Sequence, residues 1–79
     1  MNLAMIYSAL KDVGAPITQV FPATENTEGG ILVDGTWLIQ LAKNQEEPIL
    51  LDEICLNGMI NVASSFRSVD DLLQFIMEN

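Results

Sequence analysis

The sequence predicts an α+β domain in which an antiparallel sheet of four to five strands is flanked by N- and C-terminal helices. Three observations predict it: helical spacing of apolar residues at both chain ends, short apolar segments between them, and the turn dipeptides Asp34-Gly35 and Asn57-Gly58. Such tight turns join antiparallel neighbours, so the sheet should be a meander with two hairpins. With 79 residues, the chain is one small domain over residues 1–79, in the order α-β-β-β-β-β-α.

The first helix is predicted over residues 3–13. Its apolar residues recur at the i, i+3, i+4 and i+7 spacing of one helical face: Leu3, Ile6, Tyr7, Leu10 and Val13. Gly14 suits the position just beyond a helix end, and Pro16 prevents the helix from continuing.

The second helix is predicted to begin after Ser68, whose side chain is a good N-cap. Asp70 and Asp71 would lie in its first turn, where the helix dipole favours negative charge. The apolar stripe consists of Val69, Leu72, Leu73 and Ile76, and Phe75 widens it.

Five strands are predicted between the helices. They span residues 17–21, 31–33, 36–42, 49–56 and 59–65, while residues 23–30 form a loop and residues 43–48 a turn. Pro22 ends the first strand and indicates an edge position, because proline cannot donate a hydrogen bond to a neighbouring strand.

The two hairpin turns also predict which strand residues share a face, if each turn contains two residues. In the first hairpin, one face would carry Ile31, Val33 and Leu38, and the other Leu32, Trp37, Ile39 and Leu41. In the second, one face would carry Ile49, Leu51, Cys55, Ile60 and Val62, and the other Leu50, Ile54, Leu56 and Met59.

Neither face of the predicted sheet is polar, although a sheet with one wet face should alternate apolar and polar residues. Two helices of about ten residues can cover a five-stranded sheet on one side only. We therefore expect part of the second face to be an interface, either in a homodimer or with a partner protein. The alternative is that the strands coil and bury the second face themselves.

The charge of the chain narrows the classes of partner. Eleven Asp and Glu against 3 Lys and Arg, with no His, give a net charge of −8. This charge repels nucleic acid and anionic lipid and attracts a protein with a basic surface. The alternative is that the acidity serves only solubility.

Residues for catalysis and metal binding are scarce in this sequence. With no His, Ser–His and Cys–His nucleophiles cannot form. The single cysteine, Cys55, excludes an intrachain disulfide and disfavours a zinc site, and we expect it to be a small core residue within a strand. Gly29-Gly30 lacks the Lys-Ser/Thr of a phosphate loop. The sequence therefore predicts a protein that is not an enzyme and has no cofactor.

The N-terminus is apolar but lacks the basic start of a signal peptide, and Lys11 and Asp12 interrupt it early. No apolar run approaches the roughly 20 residues of a membrane span. A lone cysteine fits a reducing compartment. These features predict a cytoplasmic protein without membrane contact.

Five residues are candidates for partner binding: Trp37, Glu46, Glu47, Asp52 and Glu53. Asp52 and Glu53 are adjacent on a strand, so one lies on each face, where a carboxylate among apolar residues can meet a partner arginine. The alternative is that both are exposed to water. Trp37 is either buried in the hairpin core or a binding anchor. Glu46-Glu47 lie in a turn.

In size, acidity and order of elements, the whole chain is similar to small acidic α+β proteins encoded by phages and mobile elements. This resemblance implies an inhibitor that binds a basic host protein, in some cases by presenting carboxylates where DNA phosphates would lie. The chain also resembles type III secretion chaperones, which are small, acidic and α/β, and which imply a dimeric chaperone-like adaptor. It is shorter than those chaperones, whose dimerisation uses a further helix. A structural subunit of a larger assembly is the remaining alternative.

Overall fold

A computed structural model describes residues 1–58 and 60–78 of the chain and confirms the predicted element order. The elements are α1 (Leu3–Asp12), β1 (Ile17–Phe21), β2 (Thr27–Val33), β3 (Trp37–Ala42), β4 (Ile49–Ile54), β5 (Ile60–Phe66) and α2 (Val69–Glu78). The strands form one antiparallel sheet in the order β1-β2-β3-β4-β5. β1 is an edge strand, as Pro22 predicted.

α1 is capped at both ends by its own sequence. At the N-terminus, the Asn2 side chain accepts a hydrogen bond from the Met5 backbone N–H at 3.0 Å. At the C-terminus, the N–H groups of Gly14 and Ala15 donate to the carbonyls of Lys11 and Leu10, both at 3.0 Å. This pair of bonds is a Schellman motif, and Gly14 supplies the positive φ of +77° that the motif requires.

α2 begins where the sequence predicted. The Ser68 hydroxyl accepts a hydrogen bond from the Asp71 backbone N–H at 3.2 Å, which is the N-cap arrangement. Asp70 and Asp71 occupy the first turn. Leu72 is fully buried, and Leu73 and Ile76 pack beside it on the core.

Both helices pack on the same face of the sheet, which we call the covered face. Its sheet residues are the buried side chains Ile31, Val33, Ile39, Leu41, Ile49 and Leu51. Ile6 and Leu10 of α1 and Leu72 of α2 complete this core, and all three are fully buried. The fold is therefore a two-layer sandwich with helices on one side only.

β2 begins earlier than predicted, at Thr27 rather than at residue 31. The two glycines that indicated a loop are part of the strand, and Gly30 pairs with Phe21 on one side and Gln40 on the other. Gly29 has a φ of +117° and lies against α1, since an added Cβ there would be 2.8 Å from Leu3 Cδ2. The positive φ and the Phe21 carbonyl oxygen, which would lie 2.9 Å from such a Cβ, require glycine at this position within the strand.

The β2–β3 register differs by one residue from the prediction. Asp34 and Gly35 both have positive φ and the Thr36 N–H donates to the Val33 carbonyl at 3.1 Å, so the turn forms. Thr36 is left out of the ladder, however, and Val33 pairs with Trp37. The predicted faces for β3 were therefore wrong, because a one-residue shift exchanges the two sides of a strand.

The second hairpin also has a longer connection than predicted. Ile54 pairs with Ile60, so residues 55–59 lie between the strands, and Met59 is outside the described residues. Ile60 therefore shares a face with Ile54, whereas the prediction placed it with Ile49. Cys55 follows β4 instead of lying within it, and it is half-buried, so its expected place in the core was wrong. The side chain of Val62 is likewise outside the described set.

Candidate protein-binding face

The second side of the sheet, which we call the open face, is apolar and carries neither helix. The ladder register assigns to it Gln19, Phe21, Gly30, Leu32, Leu38, Gln40, Leu50, Asp52, Ile54, Ile60 and Ser65. Leu32, Leu38 and Leu50 alternate along their strands with fully or almost fully buried residues of the covered face. The open face is thus the back of the core sheet.

The apolar side chains of the open face remain in partial contact with water. Leu32, Leu38, Leu50 and Ile54 are half-buried, and Ile60 is 58% exposed. None of these five belongs to the set of side chains that pack against the core. The helices bury the covered face, whereas the strands by themselves leave the open face partly exposed.

Asp52 lies within the apolar part of the open face. On the ladder it pairs with Leu38 of β3 and with Val62 of β5, and its same-face neighbours along β4 are Leu50 and Ile54. Its side chain is half-buried. Among the described side chains assigned to this face, Asp52 is the one that carries a charge.

Glu53 and Trp37 lie together on the opposite side, since they pair directly across β3 and β4. The Trp37 ring packs edge-to-face on Phe75 of α2, with centroids 6.1 Å apart and planes at 88°. The Cys55 thiol lies 3.9 Å from the Glu53 carboxylate. Trp37 thus contributes to the join between α2 and the sheet, at the end where β3 begins.

Glu46 and Glu47 lie in the β3–β4 turn, at the other end of the sheet. Glu46 forms an ion pair with Arg67 at 3.7 Å, with the two side chains 90% and 70% exposed. The Ser65 hydroxyl donates to the Glu47 carboxylate at 3.2 Å. Glu47 and Glu53 are six positions apart along an extended segment that includes most of β4, a distance of about 20 Å. The structure therefore does not gather the five candidate residues into one site.

The acidic side chains divide into two groups by exposure. All 11 lie in the described part of the chain, and only Asp52 and Glu53 are half-buried, while the others are exposed. Of the four candidate carboxylates named from the sequence, the fold thus partly removes Asp52 and Glu53 from water and leaves Glu46 and Glu47 exposed.

Sequence reasoning missed the leucines of the open face as individual binding residues. The available signal was the lack of polar alternation in β2, β3 and β4, which indicated an apolar second face without giving the correct register. It also missed Gly30, whose missing side chain opens a groove of about 250 Å³ between Phe21, Leu38 and Ile54.

Within residues 1–58 and 60–78, no group of three or more Cys, Asp or Glu side chains is placed to hold a metal ion. A second cavity, near the start of β2 and the end of β3, is lined by one carboxylate, Glu28, together with Lys43 and Met1. No helix over the same residues is long and apolar enough to cross a bilayer.

The chain matches no protein-family model, no curated protein and no solved structure. Function must therefore be argued from the open face and the distribution of charge.

Proposed function

We propose that this chain is a non-enzymatic protein-binding module that occupies a basic surface of a partner protein with its open face. The observation that carries this proposal is the row of partly exposed leucine and isoleucine side chains on a sheet whose other face is covered by both helices. Monomeric domains rarely leave a continuous apolar patch of this kind in water without a use for it. Burying the exposed part of one such Leu or Ile is worth about 0.5 kcal/mol, and more at Ile60, so the five residues together contribute to affinity.

Charge supports a basic partner over a second copy of this chain. A symmetric dimer through the open face buries the same residues on both sides, so it places two Asp52 carboxylates in one interface, and the described side chains of this face include no cation to pair with them. The net charge of −8 on each copy adds repulsion between the copies. A partner with cationic side chains among apolar ones meets Asp52 with the opposite sign.

The exposed carboxylates support a specific form of this function, an inhibitor of the kind that phages and mobile elements encode. Asp34, Glu46, Glu47, Asp70 and Asp71 are all exposed, so a positively charged protein is attracted from several directions. Proteins that handle nucleic acids have such positive grooves. An acidic module that fills the groove prevents nucleic acid from binding there.

Site-specific photo-crosslinking in the native cells tests this proposal. Benzoylphenylalanine replaces Leu50 on the open face or, as the matched control, Met5 on the exposed side of α1, which is 55% exposed. We expect Leu50 to give an adduct with one basic protein and Met5 to give none. Adding Leu38→Glu on the same face should remove the adduct.

Equal adducts from both positions would contradict binding through the open face, and so would the lack of any adduct. Covalent pairs of this chain alone would replace the partner by a homodimer. Salt separates the remaining alternatives, because a complex that weakens steeply with salt and is displaced by DNA supports the inhibitor. An unfolded client retained equally at low and high salt would support the chaperone-like adaptor instead.

A further inference from the structure

The open face contains a gap at Gly30, where the row of side chains across β1, β2 and β3 is interrupted. Phe21 and Gln40 flank Gly30 in this row. A Cβ at position 30 would lie 3.1 Å from the Ile39 carbonyl oxygen and 3.7 Å from Leu38 Cδ1. The missing side chain therefore leaves this gap, and an added Cβ would be tight against the Ile39 carbonyl oxygen and would narrow the groove.

The groove over Gly30 has the size and lining for an apolar side chain. Its volume is about 250 Å³, below the range of about 300–1,000 Å³ that is typical of pockets for drug-sized ligands. Phe21, Pro22, Leu38 and Ile54 form its apolar walls. Pockets of this kind in protein interfaces receive a single aromatic or aliphatic anchor from the partner.

Asp52 is close to this groove, because two of its neighbours on the open face also line the groove. Leu38, its partner on β3, and Ile54, two residues further along β4, both line the groove. Gly30 and Asp52 are separated by two strand spacings across the sheet and one two-residue step along it. Regular strand geometry then gives about 12 Å between their Cα atoms.

Covering the open face also imposes a requirement at Asp52. Contact between its apolar neighbours Leu38 and Ile54 and a partner removes the remaining water from the carboxylate. A buried carboxylate without a compensating cation is strongly unfavourable. Arginine satisfies it best, because the guanidinium donates two parallel hydrogen bonds to one carboxylate.

We infer that the partner carries a paired recognition element: a large apolar side chain that enters the Gly30 groove and an arginine or lysine, about 12 Å away, that binds Asp52. This inference rests on the proposed function and specifies the chemistry of the partner that the open face selects. The groove sets the position of the anchor and Asp52 sets the position of the cation, so the two contacts together fix the orientation of the partner.

A phage-displayed library of random 16-residue peptides tests this element without knowledge of the native partner. The baits are the wild-type chain, Asp52→Asn and Gly30→Ala, with Asp34→Asn as the matched control because Asp34 is exposed in the β2–β3 turn. Thermal unfolding first establishes that each bait is folded. Phe21→Ala, which removes a wall of the groove, replaces Gly30→Ala if that variant does not fold.

We expect wild-type and Asp34→Asn baits to enrich peptides that combine a basic residue with a large apolar residue at a constant spacing. These peptides should bind Asp52→Asn and Gly30→Ala at least tenfold more weakly. Selection on Asp52→Asn should retain the apolar residue and lose the basic one, whereas selection on Gly30→Ala should do the reverse.

Enrichment of the same basic residue on Asp52→Asn would overturn the inference, as would unchanged binding to the groove variants. A lack of any enriched peptide on the wild-type bait would also overturn it. The crosslinking result is independent of these outcomes: an adduct at Leu50 with no paired element preserves the proposed function and rejects only this chemistry. If neither the Leu50 adduct nor the paired element is found, the proposed function itself is rejected.

Discussion

The two faces of the sheet are built from similar apolar residues but differ in what lies on them. The covered face carries mostly β-branched residues, with Ile31, Val33, Ile39 and Ile49 among its six buried positions. The open face carries Leu32, Leu38 and Leu50 at the neighbouring positions, followed by Ile54 and Ile60. Both faces thus contain leucine and isoleucine, and they differ in the helices that pack on one of them. The difference teaches that apolar composition alone does not identify the covered face.

The adjacent residues Leu50 and Leu51 give the most direct test of this comparison, since they are identical side chains on opposite faces of β4. Leu51 is fully buried and Leu50 half-buried. We expect Leu51→Ala to lower the free energy of unfolding by about 3 kcal/mol, and Leu50→Ala by about 1 kcal/mol or less. Urea denaturation measures both. Equal losses would mean that the open face is as tightly packed as the covered one.

The adjacent residues Gly29 and Gly30 of β2 allow the cost of an added methyl group to be compared between two neighbouring positions of one strand. Gly29 has a φ of +117° and faces Leu3, so Gly29→Ala introduces both strain and a clash, and we expect a loss of about 2 kcal/mol. Gly30→Ala should cost less, because Gly30 does not have a positive φ and the closest backbone atom to the added methyl, the Ile39 carbonyl oxygen, is 3.1 Å away. Thermal unfolding of the two variants gives the order. A larger loss at Gly30 would show that the groove is not available space.

Removal of the N-cap of α2 tests how much the stability of the covered face depends on its helices. Ser68→Ala removes the hydrogen bond to the Asp71 N–H, and we expect a loss of about 1 kcal/mol. Ser8→Ala, at an exposed position within α1, is the control and should cost nothing because alanine favours helices. Chemical denaturation followed by circular dichroism measures both. The prediction fails if the two variants are equally stable.

The ion pair between Glu46 and Arg67 should have the smallest effect. Both side chains are largely exposed, so Glu46→Gln is expected to change the free energy of unfolding by less than about 0.5 kcal/mol. Comparing wild type and variant at low and high salt is the measurement. A decrease of more than about 1 kcal/mol in the free energy of unfolding that persists at high salt would contradict this and would indicate that the β3–β4 turn stabilises the fold.

The sequence alone predicts the class and order of the elements because helical periodicity and capping residues are local signals. Ser68, Gly14 and Pro22 each act within a few residues of their position, and each has the predicted role. The register of the hairpins could not be predicted from the turn dipeptides Asp34-Gly35 and Asn57-Gly58. These dipeptides indicate where a turn lies, but they do not show that Thr36 is left out of the first ladder or that five residues follow Ile54 before the next strand. Register then determined which leucines reach the open face.

The candidate site was predictable as a property of a face and much less so as a set of residues. An apolar second face followed from the lack of polar alternation, and Asp52 followed from its apolar neighbours. The groove did not follow, because a Gly-Gly pair in a polar stretch indicates a loop as readily as a strand. The contact between Gly29 and Leu3 joins residues far apart in sequence, which only the folded chain reveals.

The meander order of the sheet has a consequence for how the chain folds. Every strand pairs with its neighbour in sequence, so each pairing closes a short loop and has a low entropic cost. The sheet can therefore grow outward from the β2–β3 hairpin before distant parts of the chain meet. α1 and α2 come from opposite ends of the chain, and their joint packing on the covered face is the contact of longest sequence separation. We therefore expect the helices to dock late, after which one apolar side of the sheet is buried and the other remains accessible.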